Sequence, residues 1–209
     1  AIAPDDTSIH LALGAALLIA FVVGPAIIGK LRAHKVGQII RAEGPATHQG
    51  KRGTPTMGGI IILLATVVPT VLWARFDGRF VAFALLSILW MGAIGFLDDY
   101  LKVVQGKSRG LIARWKLVGQ CSFGIALGAL LYFNPVVPVE SLPATSTTVP
   151  FFKYIVLNFT PLAFVLFVML VTTGSSNAVN LTDGLDGLAA GLSAIAAFAF
   201  ALFAYLLGR

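Results

Sequence analysis

Six runs of apolar residues, each close to the length at which an α-helix crosses a bilayer, leave this chain few folds other than a bundle of membrane-spanning helices. A helix rises about 1.5 Å per residue, so a hydrocarbon core of about 30 Å asks for about 20 mostly apolar residues. The candidates run from Ile9 to Ile28, Met57 to Ala74, Phe80 to Leu97, Leu117 to Phe133, Phe159 to Thr173 and Leu188 to Leu207. The fifth is short, and Phe151 to Leu157 would lengthen it on its N-terminal side. Composition agrees, because only 11% of the residues are charged, where a soluble domain carries roughly 25%. The expected fold class is all-α: a polytopic helical membrane protein with about six transmembrane helices, forming a single integral-membrane domain over 1–209. A cytosolic enzyme, a disordered chain and a secreted disulfide scaffold are excluded, the last because Cys121 is the one cysteine. No charged segment with a cleavage site precedes the first run, so no cleaved signal is expected. The chain starts at Ala1 and stops at Arg209 directly after an apolar run, which reads as trimming at both ends.

The formal net charge of +6 could be taken for a nucleic-acid surface, but the cations lie in short loops between apolar runs, which is the pattern of membrane orientation. Eleven of the 15 fall after the first and third runs: Lys30, Arg32, Lys35, Arg41, Lys51 and Arg52, then Lys102, Lys107, Arg109, Arg114 and Lys116. Arg75, Arg79, Lys153 and Arg209 lie on the other side. The positive-inside rule then puts the N-terminus outside and the loops after runs one, three and five in the cytoplasm. Between runs four and five, Pro135, Pro138, Pro143 and Pro150 with the Thr145 to Thr148 cluster have no helical period. That stretch is expected to be extended or hairpin-like.

Of nine acids, four form two close pairs that fall at the same membrane face. Asp98 and Asp99 end the third run in GFLDDY, and Asp183 and Asp186 lie in NAVNLTDGLDGLA between runs five and six. Adjacent carboxylates repel, so Asp98 and Asp99 are costly to ionise together unless a cation is near. Lys102, three residues beyond Asp99, could supply it. A divalent ion could too, and hard oxygen donors in this number suit Mg²⁺. The plainer reading is a helix end marked by charge. In the second segment a turn or cap needs one or two polar residues. The segment has two Asn, one Thr, two Asp and two Gly, which favours a functional reading. Backbone N–H groups at Gly184 to Gly187, where a helix begins, could receive a phosphate. The first cytoplasmic loop ends KRGTPTMGG. Its spacing is wrong for a P-loop, yet two cations, two hydroxyls and a glycine-rich turn make an anion contact plausible beside the anchoring role of Lys51 and Arg52. His10, His34 and His48 share no metal-ligand spacing.

Taken together and in this order, KRGTPTMGG, GFLDDYLK, GLIARWK and NAVNLTDGLDGLA resemble the bacterial phospho-N-acetylmuramoyl-pentapeptide transferase family. That family is a branch of the polytopic prenyl-phosphate hexosamine-1-phosphate transferases. The resemblance covers the chain from about Lys30 onward. It implies transfer of phospho-MurNAc-pentapeptide from UDP-MurNAc-pentapeptide to undecaprenyl phosphate, giving lipid I and UMP, with Mg²⁺ as cofactor, in the bacterial inner membrane. By motif position, Asp98, Asp99 and Asp183 would be catalytic, with Asp99 and Asp183 the metal ligands. Lys102 and Lys116 would contact phosphate or nucleotide, and Lys51 with Thr56 would line the uridine side. Asn177, Asn180 and Asp186 would hold the nucleotide end. The implied partners are UDP-MurNAc-pentapeptide, undecaprenyl phosphate and membrane lipids; a homodimer is open and no nucleic acid is expected.

Family members carry further spans, a further catalytic Asp and a histidine-rich cytoplasmic loop in their second half, none of which this sequence contains. The chain is thus expected to be an N-terminal portion, inactive alone. The residues leave open whether a carboxylate deprotonates the prenyl phosphate or first forms a covalent intermediate. Rival readings are a related transferase using UDP-GlcNAc, a partner-binding fragment, and a secondary-transporter half, the last disfavoured because its ion sites would lie near the bilayer midplane.

Overall fold

The computed structural model describes residues 6–33, 57–76, 79–103, 105, 110–134, 145–149, 152–183 and 187–207. Among these residues the chain is helical apart from one hairpin. Large apolar side chains point outward along the helices; Phe21, Phe200 and Leu181 are 76%, 74% and 82% exposed. Such faces would be ruinous in water but match lipid tails, against which burying a leucine gains nothing. The buried apolar side chains among the described residues are only Met57, Pro69, Leu85, Phe123 and Leu127. The helices are therefore held by local close contacts and polar pairs rather than by a large core. By internal contacts the chain divides into two compact units, Pro4–Lys116 and Leu117–Arg209.

In the first unit, α1 (Asp6–Leu18) continues through a π-helical turn, Ile19–Val23, into α2 (Gly24–Ala33). Pro25 has no N–H to return to the preceding turn, and just before it the ladder widens. The Gly24 N–H donates to the carbonyl of Ile19, five residues back. The result is one apolar stretch of 27 residues, Thr7–Ala33, with Lys30 and Arg32 in the last turn of α2, where cations suit the helix dipole. Helix α3 (Gly59–Trp73) has 15 residues, about 22 Å, which is less than the bilayer core. It is shorter than the expected Met57 to Ala74 because Met57 has φ 71° and Ala74 is extended. Among the described residues five helices are long and apolar enough to cross a membrane, and α3 is a shorter apolar one. Helix α4 (Arg79–Val103) has 25 residues, so at about 37 Å it outlasts the hydrocarbon and carries its acidic end past the apolar run. Gly92 lets α4 approach α3: a Cβ there would lie 2.8 Å from a Leu63 methyl.

The second unit holds most of α5 (Ala113–Phe133), strands β1 (Ser146–Val149) and β2 (Phe152–Asn158), α6 (Pro161–Thr182) and α7 (Leu188–Leu207). The expected extended segment is an antiparallel hairpin, with Ser146 opposite Asn158 and an irregularity between Thr148 and Val149. The Phe159 N–H closes its base on the Thr145 carbonyl at 3.0 Å. The idea that Phe151 to Leu157 lengthens the fifth span is overturned for the described residues, since Phe152–Asn158 is β2. FKYIVLN is rich in β-branched and aromatic residues that favour a strand, and the helix start is fixed instead by Thr160, whose hydroxyl accepts the Ala163 N–H, followed by Pro161. Helix α6 gains its length at the other end, running to Thr182 rather than Thr173. Its polar residues are accommodated by side-chain bonds to carbonyls four residues back: Thr172 to Val168 at 2.8 Å, Asn177 to Thr173 at 2.8 Å and Thr182 to Ala178 at 2.7 Å.

Candidate active site

At the end of α4 the two acids differ. Asp98 has only 14% of its side chain exposed, and Lys102 Nζ sits 2.7 Å from its Oδ2. Its other oxygen, Oδ1, accepts the backbone N–H of Leu111 at 2.8 Å, across 13 residues of sequence. Asp99 is 33% exposed and lies 3.8 Å from the same ammonium. Lys102 was expected to serve Asp99, one turn away, and the closer partner is Asp98, four residues back, the better helical spacing for this pair. Gly110 makes the arrangement possible. Its φ of 61° favours glycine, and a Cβ there would fall on the Asp98 carboxylate and the Lys102 stem. One carboxylate thus ties a loop to the helix, and its neighbour is turned further toward solvent.

Lys116 lies half-buried in the first turn of α5, close after Arg114. Cations are disfavoured at a helix N-terminus, so these two are not there to stabilise α5, and they bring positive charge to the same unit as Asp98 and Asp99. Asp183 shows the converse. It is exposed and caps the C-terminus of α6, its N–H donating to the Val179 carbonyl at 3.2 Å. A carboxylate at the negative end of a helix is locally unfavourable, and charges placed against their own helix are a mark of functional positions.

The polar segment expected between runs five and six is half helical. Asn177 and Asn180 belong to α6, Asn180 exposed and Asn177 partly buried. Asn177 Nδ2 donates to Gln120 Oε1 at 2.7 Å and to the Thr173 carbonyl at 2.8 Å. Sequence reasoning missed Gln120, whose signal was a lone carboxamide in the apolar run of α5. Met57, with a left-handed backbone unusual for a large side chain, is a second unexpected feature, next to the KRGTPT segment. Lys51, Thr56 and Asp186 lie outside the described residues, as do Gly184 and Leu185. Gly187, φ 79°, precedes α7. Among the described residues no three His, Cys, Asp or Glu side chains gather as a metal cage. Mg²⁺ does not need one, since it commonly takes one or two carboxylates and completes its shell with water and substrate phosphates. Partly exposed Asp99 in the first unit and exposed Asp183 in the second are each a carboxylate of the kind that ion takes.

Comparison with known proteins matches these features to named relatives. Residues 51–63 match the phospho-N-acetylmuramoyl-pentapeptide-transferase signature 1, the segment that runs into Met57. A phospho-N-acetylmuramoyl-pentapeptide-transferase of Gemmatimonas aurantiaca is 50% identical over 202 residues, covering 93% of this chain and 52% of the relative. One from Endomicrobium trichonymphae is 52% identical over 193 residues, again covering 52% of the relative. One from Chlorobium chlorochromatii is 46% identical over 194 residues. The chain spans about half the length of these relatives. Residues 81–209, more than half the chain and including every described acid singled out above, match glycosyl transferase family 4, and the chain belongs to that family.

Proposed function

We propose that this chain carries part of the active site of a phosphoglycosyl transferase that moves phospho-MurNAc-pentapeptide from UDP-MurNAc-pentapeptide to undecaprenyl phosphate, giving lipid I and UMP. The observation that carries the reading is the Asp98–Asp99–Lys102 cluster, set at the end of a helix long enough to leave the bilayer. An acceptor whose tail stays in lipid and a donor that arrives from water can meet only at such a boundary. The relatives' names and the signature over residues 51–63 support the donor. The excess of cations in the loops after α2 and α4 supports a cytoplasmic active face, with the N-terminus outside and the protein in the bacterial inner membrane.

In the direct one of the two routes, a phosphate oxygen of undecaprenyl phosphate attacks the sugar-bearing phosphorus of the donor. One P–O bond forms, the bond to the bridging oxygen breaks, and UMP leaves with that oxygen. The residues' task is positioning and charge stabilisation. Lys102 and Lys116 hold phosphate oxygens, with Lys51 and Thr56 toward the uridine. Asn180, Asp183 and Asp186 hold the nucleotide end, with Asn177 on the same segment. Asp98 keeps Lys102 and the Gly110 turn in place. Asp99 and Asp183 would hold Mg²⁺, which supplies the positive charge that neutralises the pyrophosphate and the departing UMP.

A donor panel tests this. Full-length protein in detergent with undecaprenyl phosphate and Mg²⁺ is expected to form lipid-linked product from UDP-MurNAc-pentapeptide and none from UDP-GlcNAc. Chelation should stop product formation and added Mg²⁺ restore it. Product from UDP-GlcNAc alone would move the chain to a different branch of donors.

A further inference from the structure

Gln120 is 1% exposed, the most deeply buried side chain among the described residues, and it sits in the LVGQCSFG stretch of α5, where the other strongly polar side chain, Ser122, returns its hydroxyl to the Gly119 carbonyl. A carboxamide in such a place is costly unless its donors and acceptor are satisfied. Both of its partners stand on α6: Nε2 donates to Ser176 Oγ at 3.1 Å, and Oε1 accepts from Asn177 Nδ2 at 2.7 Å. Further along the same seam the two helices meet at glycines. A Cβ on Gly124 would lie 2.7 Å from Met169 Cα, and one on Gly128 would lie 2.9 Å from Val165 Cα. Glycine contacts bring backbones close without fixing their rotation; the two bonds from Gln120, one to the Ser176 hydroxyl and one to the Asn177 amide, admit one rotation and one register. A slip of one residue would turn α6 by about 100°. Three residues beyond Asn177 lies the exposed Asn180, and three further the helix-capping Asp183.

The geometry points to Gln120 as a positioning residue, which fixes the C-terminal half of α6 and so presents Asn180 and Asp183 to the nucleotide sugar, a role that rests on the transferase reading above. Asn177, whose two amide hydrogens are spent on Gln120 and Thr173, acts with it as the other half of the clamp.

The test is kinetic and structural, in full-length protein. Gln120→Leu is expected to lower kcat/KM for UDP-MurNAc-pentapeptide by about tenfold or more, with KM for undecaprenyl phosphate changed less than about twofold. The double variant Gln120→Leu/Asn177→Leu should lose no more than the worse single one; losses that multiply would put Asn177 on the substrate and overturn the clamp. Should Gln120→Leu not fold, the exchange Gln120→Asn/Asn177→Gln decides, because it keeps the combined length of the two amides. Recovery over Gln120→Asn alone supports the role, and no recovery overturns it. Hydrogen–deuterium exchange at the amides of residues 179–183 reads the seam without turnover: faster exchange in Gln120→Leu is expected, and unchanged exchange contradicts it. A wild-type protein that makes no lipid-linked product would refute the transferase reading while leaving this last comparison able to decide the clamp.

Discussion

Asp99→Asn in the full-length protein is expected to lower transfer by about a thousandfold while leaving the melting temperature unchanged. The substitution keeps the shape of the side chain and removes its charge, which is what a role at the pyrophosphate requires. Its third-exposed position, 3.8 Å from Lys102, gives it little to contribute to stability, since exposed ion pairs are worth at most about 1 kcal/mol. Asp98→Asn is expected to behave differently although it is the adjacent residue. Asp98 is mostly buried and holds both the Lys102 ammonium and the Leu111 N–H. Losing its charge releases Lys102 and loosens the turn at Gly110, so the fall in activity should come with a melting temperature lower by about 1–2 °C, the size of an effect of about 1 kcal/mol in a protein of about twice this length. Thermal unfolding measured beside initial rates separates the two. Equal stability losses in both variants would contradict the division of labour between them.

Gly124→Leu is expected to be the most damaging change to the fold. The added side chain would meet the Met169 backbone and the Thr172 hydroxyl at 2.7 Å, and a helix backbone cannot rotate out of the way as a side-chain end can. Overpacking of this kind costs about 1–3 kcal/mol, and a backbone obstacle puts Gly124 at the top of that range. A fall in melting temperature of about 3–6 °C should follow for the full-length protein in detergent. Gly174→Leu on α6 is the control, because a Cβ at Gly174 meets nothing within 4 Å. Equal effects at the two positions would show that general helix propensity, rather than close approach, sets the requirement for glycine.

How far the sequence spoke for this structure depended on the range of each interaction. The spacing of Asp98, Asp99 and Lys102 was legible because helical geometry over three or four residues fixes it. The Leu111 contact was not, since it returns through a loop whose path depends on the positive φ of Gly110. The pairing of Gln120 with Asn177 spans 57 residues and depends on the rotation of α6 against α5, which hydropathy does not encode. Apolar length located the spans but misjudged two of them. Met57 cut α3 short through its own backbone conformation, and α6 ran on through Ser176, Asn177 and Asn180 because side-chain bonds to preceding carbonyls offset poor helix propensity. Hydropathy alone predicts a loop there, and the segment up to Thr182 is helix instead.

In the proposed reaction the donor's phosphate travels with the sugar, so the fate of that phosphate decides the reading. Full-length protein is incubated with undecaprenyl phosphate, Mg²⁺ and UDP-MurNAc-pentapeptide labelled at the sugar-bearing phosphate. Label is expected in the lipid fraction, with an equal amount of unlabelled UMP in the aqueous one. Release of labelled UDP, the outcome of simple glycosyl transfer, would contradict it.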